Sequence, residues 1–303
     1  MIMEEEIINL IEKRGPLTGA EILDATGADS LILWRSCMLC QRLIVRHVGT
    51  RYLRLDRAVD GFARLSPSIL REFLTFSVVG FNGDSAPLEE KAQELVSHIE
   101  KVSKAKMELA YRIASGLIGG LGSEWALKDQ ICFIIAGDIV FNMAHDVPRP
   151  ERSTGRLVTG SDLDIVVVVS DEFPDDLMRR LDDEIYREKY SLLMTPHVKE
   201  EIDYIVKRLA RVREQVCFET FKHMVACKIL DEGTLLYGSE ELFTAVKSML
   251  RANGVTEKLN YMEKQARMFR QQSEQYLLLH DPKKIKDESL SLFYPAEESE
   301  EFE

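Results

Sequence analysis

Cysteine is scarce, and what there is of it does not make a framework. Five cysteines in 303 residues are too few and odd in number for a disulfide scaffold, which fits a reducing cytoplasm. Long apolar runs are missing as well. None approaches the ~18 residues that would cross a bilayer. The opening MIMEEEIINL is acidic where a secretory leader would be basic. Neither export nor a membrane partner is expected. An excess of positive charge is also lacking. With 39 Lys and Arg against 51 Asp and Glu, the net charge is -12, so any contact with nucleic acid has to be local. No internal repeat is evident. What is present is ordinary for a folded protein: 45% hydrophobic and 30% charged residues, in a chain long enough for two domains.

The most informative stretch is ICFIIAGDIVFNMAHDVPRPERSTGRLVTGSDLDIVVVV, from Ile131 to Val169. An apolar run stops at Gly137-Asp138. Farther on, Asp162 and Asp164 open a β-branched run, Ile165 to Val169, that is too short for a comfortable helix and reads as a buried strand. Alternate residues of a strand share a face, so the two aspartates point the same way and Leu163 turns to the core. Two adjacent carboxylates repel each other, and a divalent cation relieves that repulsion. With no His or Cys pair nearby, oxygen ligands favour Mg²⁺ or Mn²⁺ over zinc.

GSDLDIVVVV, with AGD upstream, resembles the DNA polymerase β-like nucleotidyltransferase superfamily, closest to its minimal and antibiotic-type members. The family pattern is a Gly turn, then Ser-Asp-x-Asp on the next strand, then a third carboxylate on a later one. Ser161-Asp162-Leu163-Asp164 matches its centre. Asp203 in EEIDYIVKR would be the third acid, on a strand or equally on a helix. KILDEGTLLYGSEELF looks like the helix and Leu-Tyr-Gly turn that follow such a core. The likeness covers roughly residues 110 to 245. It implies transfer of NMP from an NTP to a hydroxyl acceptor, with Asp162, Asp164 and Asp203 holding metal and Asp203 able to take the hydroxyl proton. It implies nucleotide contacts from Gly137, Asp138, Ser161, Arg152 and Lys228. Two features depart from the family: Asp138 stands where Ser or Gly is usual, and the span from Gly137 to Asp162 is long. That span carries Arg149, Arg152 and Arg156, placed either to clamp phosphate or to form a surface hairpin.

The N-terminal 60 residues hold three helix patterns. The second opens on a capping box, Thr18 with Glu21, and closes at Gly27. LIVRHVGTRYLRL then reads as two strands hairpinned at Gly49-Thr50. Three helices and a hairpin resemble a winged helix-turn-helix domain. Arginines 35, 42, 46, 51, 54 and 57 face one acid, Asp56, so Arg42, Arg46, Arg51 and Arg54 are candidates for nucleic-acid binding. The third helix, SLILWRSCMLC, is apolar for a groove-binding element, and a homodimer or a packed neighbour is the alternative use of it. Cys37 and Cys40 read as buried packing, because no second ligand pair follows at zinc spacing.

The expected architecture is therefore α+β. Residues 1–60 form the winged helix, 61–122 a mostly helical linker and 123–210 a mixed-sheet nucleotidyltransferase core. A helical region, 211–280, and an acidic, disordered tail, 281–303, complete it. The expected function is Mg²⁺-dependent nucleotidyl transfer in the cytoplasm. The alternative is a catalytically inactive nucleotide sensor that regulates transcription by binding DNA through the winged helix.

Overall fold

A computed structural model describes residues 2–120, 128–151 and 154–295. They are mixed α and β, in two compact units. One unit comprises 1–54, 63–99 and 263–303; the other comprises 55–62 and 100–262. No helix among the described residues is long and apolar enough to cross a membrane.

The first unit begins with α1 (Ile2–Arg14), a two-residue strand β1 (Leu17–Thr18), α2 (Gly19–Thr26) and α3 (Ser30–Leu39). The capping box at the start of α2 is made as expected. Thr18 Oγ1 accepts from the Glu21 N–H, and Glu21 accepts from the Thr18 N–H. Gly27 ends the helix in the left-handed conformation, φ +59°.

The expected hairpin is not formed. Strands β2 (Leu43–His47) and β3 (Tyr52–Leu55) exist, but they do not pair with each other. The partner of β2 is β5 (Ser77–Phe81), which lies between β1 and β2 in an antiparallel sheet. β3 pairs instead with β4 (Ala63–Ser66). The reason lies in SVVGF: its Val78 and Val79 are fully buried, so this apolar strand takes the central place. With β4, β5 and the intervening α4 (Ile69–Thr75), residues 63–81 are structural members of the unit and not a linker.

The tail also departs from expectation as far as it is described. Asp281 caps α11 (Pro282–Glu288) by accepting from the Lys283 and Lys284 N–H groups. Ile285 and Phe293 are fully buried, and the Phe293 ring lies 5.4 Å from that of Trp34 on α3. Residues 296–303, the acidic end, lie outside the described residues.

Helix α5 (Ser85–Gly120) carries Pro87 in its first turn, where the missing N–H costs nothing, and the unit boundary falls within it. The second unit is built on a four-stranded sheet in the order β10-β9-β6-β11. These strands are β6 (Ile131–Ala136), β9 (Leu163–Val169), β10 (Ile202–Arg208) and β11 (Thr234–Gly238). Strands β9 and β10 are parallel, and β6 is antiparallel to both β9 and β11. Strand β11 lies in the stretch expected to be helical, so the core sheet extends past residue 210.

Helix α6 (Asp175–Met194) makes the crossover from β9 to β10, as a parallel pair requires. One face of the sheet, with Phe133, Ile135, Leu163, Ile165 and Val167, joins Ala110, Ile113 and Ala114 of α5 and Leu181 and Ile185 of α6 in one buried cluster. The other face carries Asp164, Val166 and Val168. Against β6, α8 (Phe221–Glu232) and α9 (Glu240–Ala252) are packed. A short α7 (Leu209–Gln215), then α10 (Val255–Leu279), complete the order.

Candidate functional site

The pairing of β9 and β10 fixes the site. Parallel register sets Asp203 against Asp164, and Leu163 against Ile202. Leu163 and Ile202 are fully buried, so alternation leaves Asp162, Asp164 and Asp203 on the opposite face. One carboxylate oxygen from each of the three lies within 4.8 Å of the others. The strand-or-helix choice for Asp203 resolves to strand, and the three acids come together as expected.

The cluster is electrostatically uncomfortable by itself. Burial pushes the Asp164 carboxyl well above the usual carboxylate range, and Asp162, Asp138 and Asp203 push it farther, while Lys228 opposes them. Burial raises Asp162 too; Arg149 opposes this, and Asp203 and Asp138 add to it. An all-oxygen, mutually repelling donor set of this kind fits a hard divalent cation.

Gly137 follows β6 at φ +71°, and a β-carbon there would lie 2.1 Å from Asp164 Oδ2. A glycine is needed because backbone and carboxylate touch. The next residue, Asp138, does not extend freely from the turn: Ser161 Oγ donates to its Oδ2 at 2.6 Å. The His145 N–H in turn donates to Ser161 Oγ at 3.2 Å. Ser161 thus ties the Gly137 turn to the start of β9.

Lys228 and Glu232 stand one turn apart on α8 and pair at 2.6 Å, with side chains only 14% and 9% exposed. Glu232 Oε1 also accepts from the Gly137 N–H at 3.3 Å. Burial raises the Glu232 carboxyl, against the pull of Lys228 and of that N–H. Glu232 was not singled out from the sequence, although its i,i+4 spacing from Lys228 was visible.

Arg149, on β7 (Pro148–Pro150), is the buried cation of the other side. Its guanidinium lies 2.9 Å from Glu201 and 3.6 Å from Asp162, and its Nε donates to the Gly160 carbonyl at 2.8 Å. β7 pairs with β8 (Leu157–Thr159), so part of the arginine-bearing span is a hairpin. Lys106 of α5, also buried, donates to the Thr159 carbonyl at 2.8 Å and pairs with Glu200. Together they anchor the segments leading into Asp162 and Asp203. Arg152 lies outside the described residues.

The candidate nucleic-acid arginines are largely engaged. Arg51 makes two bonds to the buried Glu72, at 2.6 and 2.7 Å, and a third to Glu274 at 3.1 Å. Arg42 pairs with Glu12 and Arg46 with Glu89, on the surface. Arg54 lies half-buried on β3. In α3, Leu31, Leu33, Trp34 and Cys37 are buried, and Arg35 donates to the Leu277 carbonyl. Comparison with protein-family models gives no match, and comparison with curated proteins gives none either.

Proposed function

We propose that this chain is a Mg²⁺-dependent nucleotidyltransferase that moves NMP from an NTP to a hydroxyl acceptor and releases pyrophosphate. The observation that carries the reading is the triad itself. Three carboxylates, one just ahead of β9 and one on each of the parallel strands β9 and β10, converge beside a glycine turn that touches one of them. Bound divalent ions would supply charge to offset that gathering on the phosphoryl oxygens.

The chain's own part follows from where each group sits. Asp162, Asp164 and Asp203 are the residues that would hold the ions, and the ions would activate the acceptor hydroxyl and offset phosphoryl charge. Asp203 is the most exposed of the three, with its side chain 57% exposed, and Lys189 donates to its Oδ1 at 3.1 Å. An acceptor hydroxyl can therefore reach it and give up its proton there. The hydroxyl oxygen bonds to the α-phosphorus while the bond to the bridging α–β oxygen breaks. Lys228, Ser161 and the Gly137 turn line the side from which the triphosphate enters.

The first unit we read as a winged helix. Three helices, with β1 between the first two, lead into a sheet ordered β1-β5-β2 that has a long insertion between β2 and β5. Surface Arg42 and Arg46 are its best-placed phosphate contacts. Free thiols at all five cysteines accord with a cytoplasmic setting.

The sensor reading has one observation in its favour. Asp138 and Glu232 place two carboxylates where a triphosphate would come, a feature suited to weak, regulated binding. Pyrophosphate release separates the two readings. With Mg²⁺, NTPs and fractionated cell extract as the acceptor source, an enzyme releases pyrophosphate that EDTA abolishes. A sensor releases none.

A further inference from the structure

Resting on the nucleotidyltransferase reading, we propose that Glu232 is an internal stand-in for a phosphate group. Its carboxylate holds the seat that the substrate's polyphosphate must take, and so sets how tightly the chain binds its nucleotide. The donors around Glu232 match those of a phosphate site. A backbone N–H at a glycine turn and a buried lysine ammonium are the partners a phosphoryl oxyanion seeks. Here both are directed at one carboxylate, at 3.3 and 2.6 Å.

The seat is also in the right place. Gly137, which supplies the N–H, abuts Asp164 so closely that no β-carbon fits between them. Lys228, which supplies the ammonium, acts electrostatically on that same Asp164. An anion in this seat is therefore next to the triad. The charge of Glu232 also supports the Lys247 ammonium, but that group is held by the Leu230 and Asp231 carbonyls of the last turn and by Asp231 as well, before the helix ends at Gly233.

For a polyphosphate to enter, Glu232 has to withdraw, and the negative charge it leaves nearby opposes the incoming one. Glu232→Gln keeps the size and an oxygen that can accept from the Gly137 N–H, but removes the charge. Mg²⁺-tripolyphosphate, titrated calorimetrically into the full chain, should bind Glu232→Gln about tenfold more tightly than wild type. KM for the NTP should fall by about the same factor, with kcat within twofold. Glu232→Asp, which keeps the charge but shortens the reach, should lie between the two.

Binding of tripolyphosphate that is unchanged or weaker in Glu232→Gln overturns the proposal. So does a loss of metal affinity in that variant, which would make Glu232 a ligand. The two readings fail separately. If tripolyphosphate binding tightens but no NTP is turned over, Glu232 is the stand-in and nucleotidyl transfer is not the activity. If NTPs are turned over by wild type and Glu232→Gln leaves KM unmoved, only the stand-in falls.

Discussion

Asp203 stands directly across the β9–β10 pair from Asp164, in register, on the face opposite the buried Leu163 and Ile202. Two like charges held in adjacent strands cost stability, and that cost is the physical mark of the site.

Neutralising part of the triad should stabilise the fold while ending its chemistry. Asp164→Asn removes the carboxylate that its neighbours and burial oppose most. Without divalent cation at neutral pH, it should raise stability by about 1 kcal/mol, or ~2–4 °C in melting temperature. Added Mg²⁺ should stabilise the wild type more than the variant. Scanning calorimetry with and without Mg²⁺ checks both.

Gly137→Ala should do the reverse. Its β-carbon would meet Asp164 Oδ2 at 2.1 Å, in a left-handed backbone that L-residues resist. A loss of about 2 kcal/mol or more is expected in denaturant unfolding, together with weaker Mg²⁺ binding. An unchanged midpoint would mean that the turn does not press on the carboxylate.

Lys207 gives the fold a dependence on alkaline pH. Its ammonium donates to Gln215 Oε1 at 3.0 Å, and burial pulls it down to about 8 from the ordinary 10.5. Between those values the unfolded chain binds the proton more readily than the folded one. Stability contributed by this group therefore rises from about pH 8 to 10.5, and below pH 8 the whole cost, about 3 kcal/mol, is present. Lys207→Met should be more stable than wild type at pH 7, with a flatter profile across that window. Chemical denaturation at pH 7, 9 and 10 reads the difference.

The arginines of the first unit should separate by role. Arg51→Ala leaves Glu72 with less compensation in a buried network that includes Arg270 at 2.7 Å. A loss of about 3 kcal/mol is expected, whatever the chain binds. Arg42→Ala and Arg46→Ala, at surface pairs, should shift stability by no more than ~0.5 kcal/mol. If the unit binds nucleic acid, each should lower the salt dependence of binding by about one phosphate contact. Fluorescence anisotropy against a random duplex at several salt concentrations measures this.

Much of the site was legible because it obeys a period of two. Asp162, Leu163 and Asp164 announce their faces locally, and Gly137 marks the end of an apolar strand. Helix α2, with its Thr18–Glu21 box, was readable for the same local reason. Asp203 was ambiguous because a parallel partner is set by a crossover through α6, which leaves no local trace. The β2–β3 hairpin failed similarly: Gly49-Thr50 does turn the chain, but Val78 and Val79 in β5 offered β2 a more apolar partner. Strand β11 was hidden in a helix-rich stretch. Ile285 is hidden among Lys283, Lys284, Lys286 and Asp287, although Asp281-Pro282 is a helix-start signal in plain view, and Phe293 lies in an uncharged run, SLSLFYP, just ahead of the acidic end. Arg149 reaches Asp162, and Glu232 reaches Gly137, only through tertiary contacts, and spacing alone does not distinguish them from surface charges.

The most direct test is to incubate the protein with Mg²⁺, each α-labelled NTP and total cellular RNA or protein as acceptor. Asp162→Asn and Asp164→Asn run alongside, after their folding is confirmed by circular dichroism. Covalent label from at least one NTP is expected with wild type, and a loss of at least ~1,000-fold in both variants. Label transferred equally well by the folded variants would contradict the proposed function, because the triad would then have no part in the chemistry.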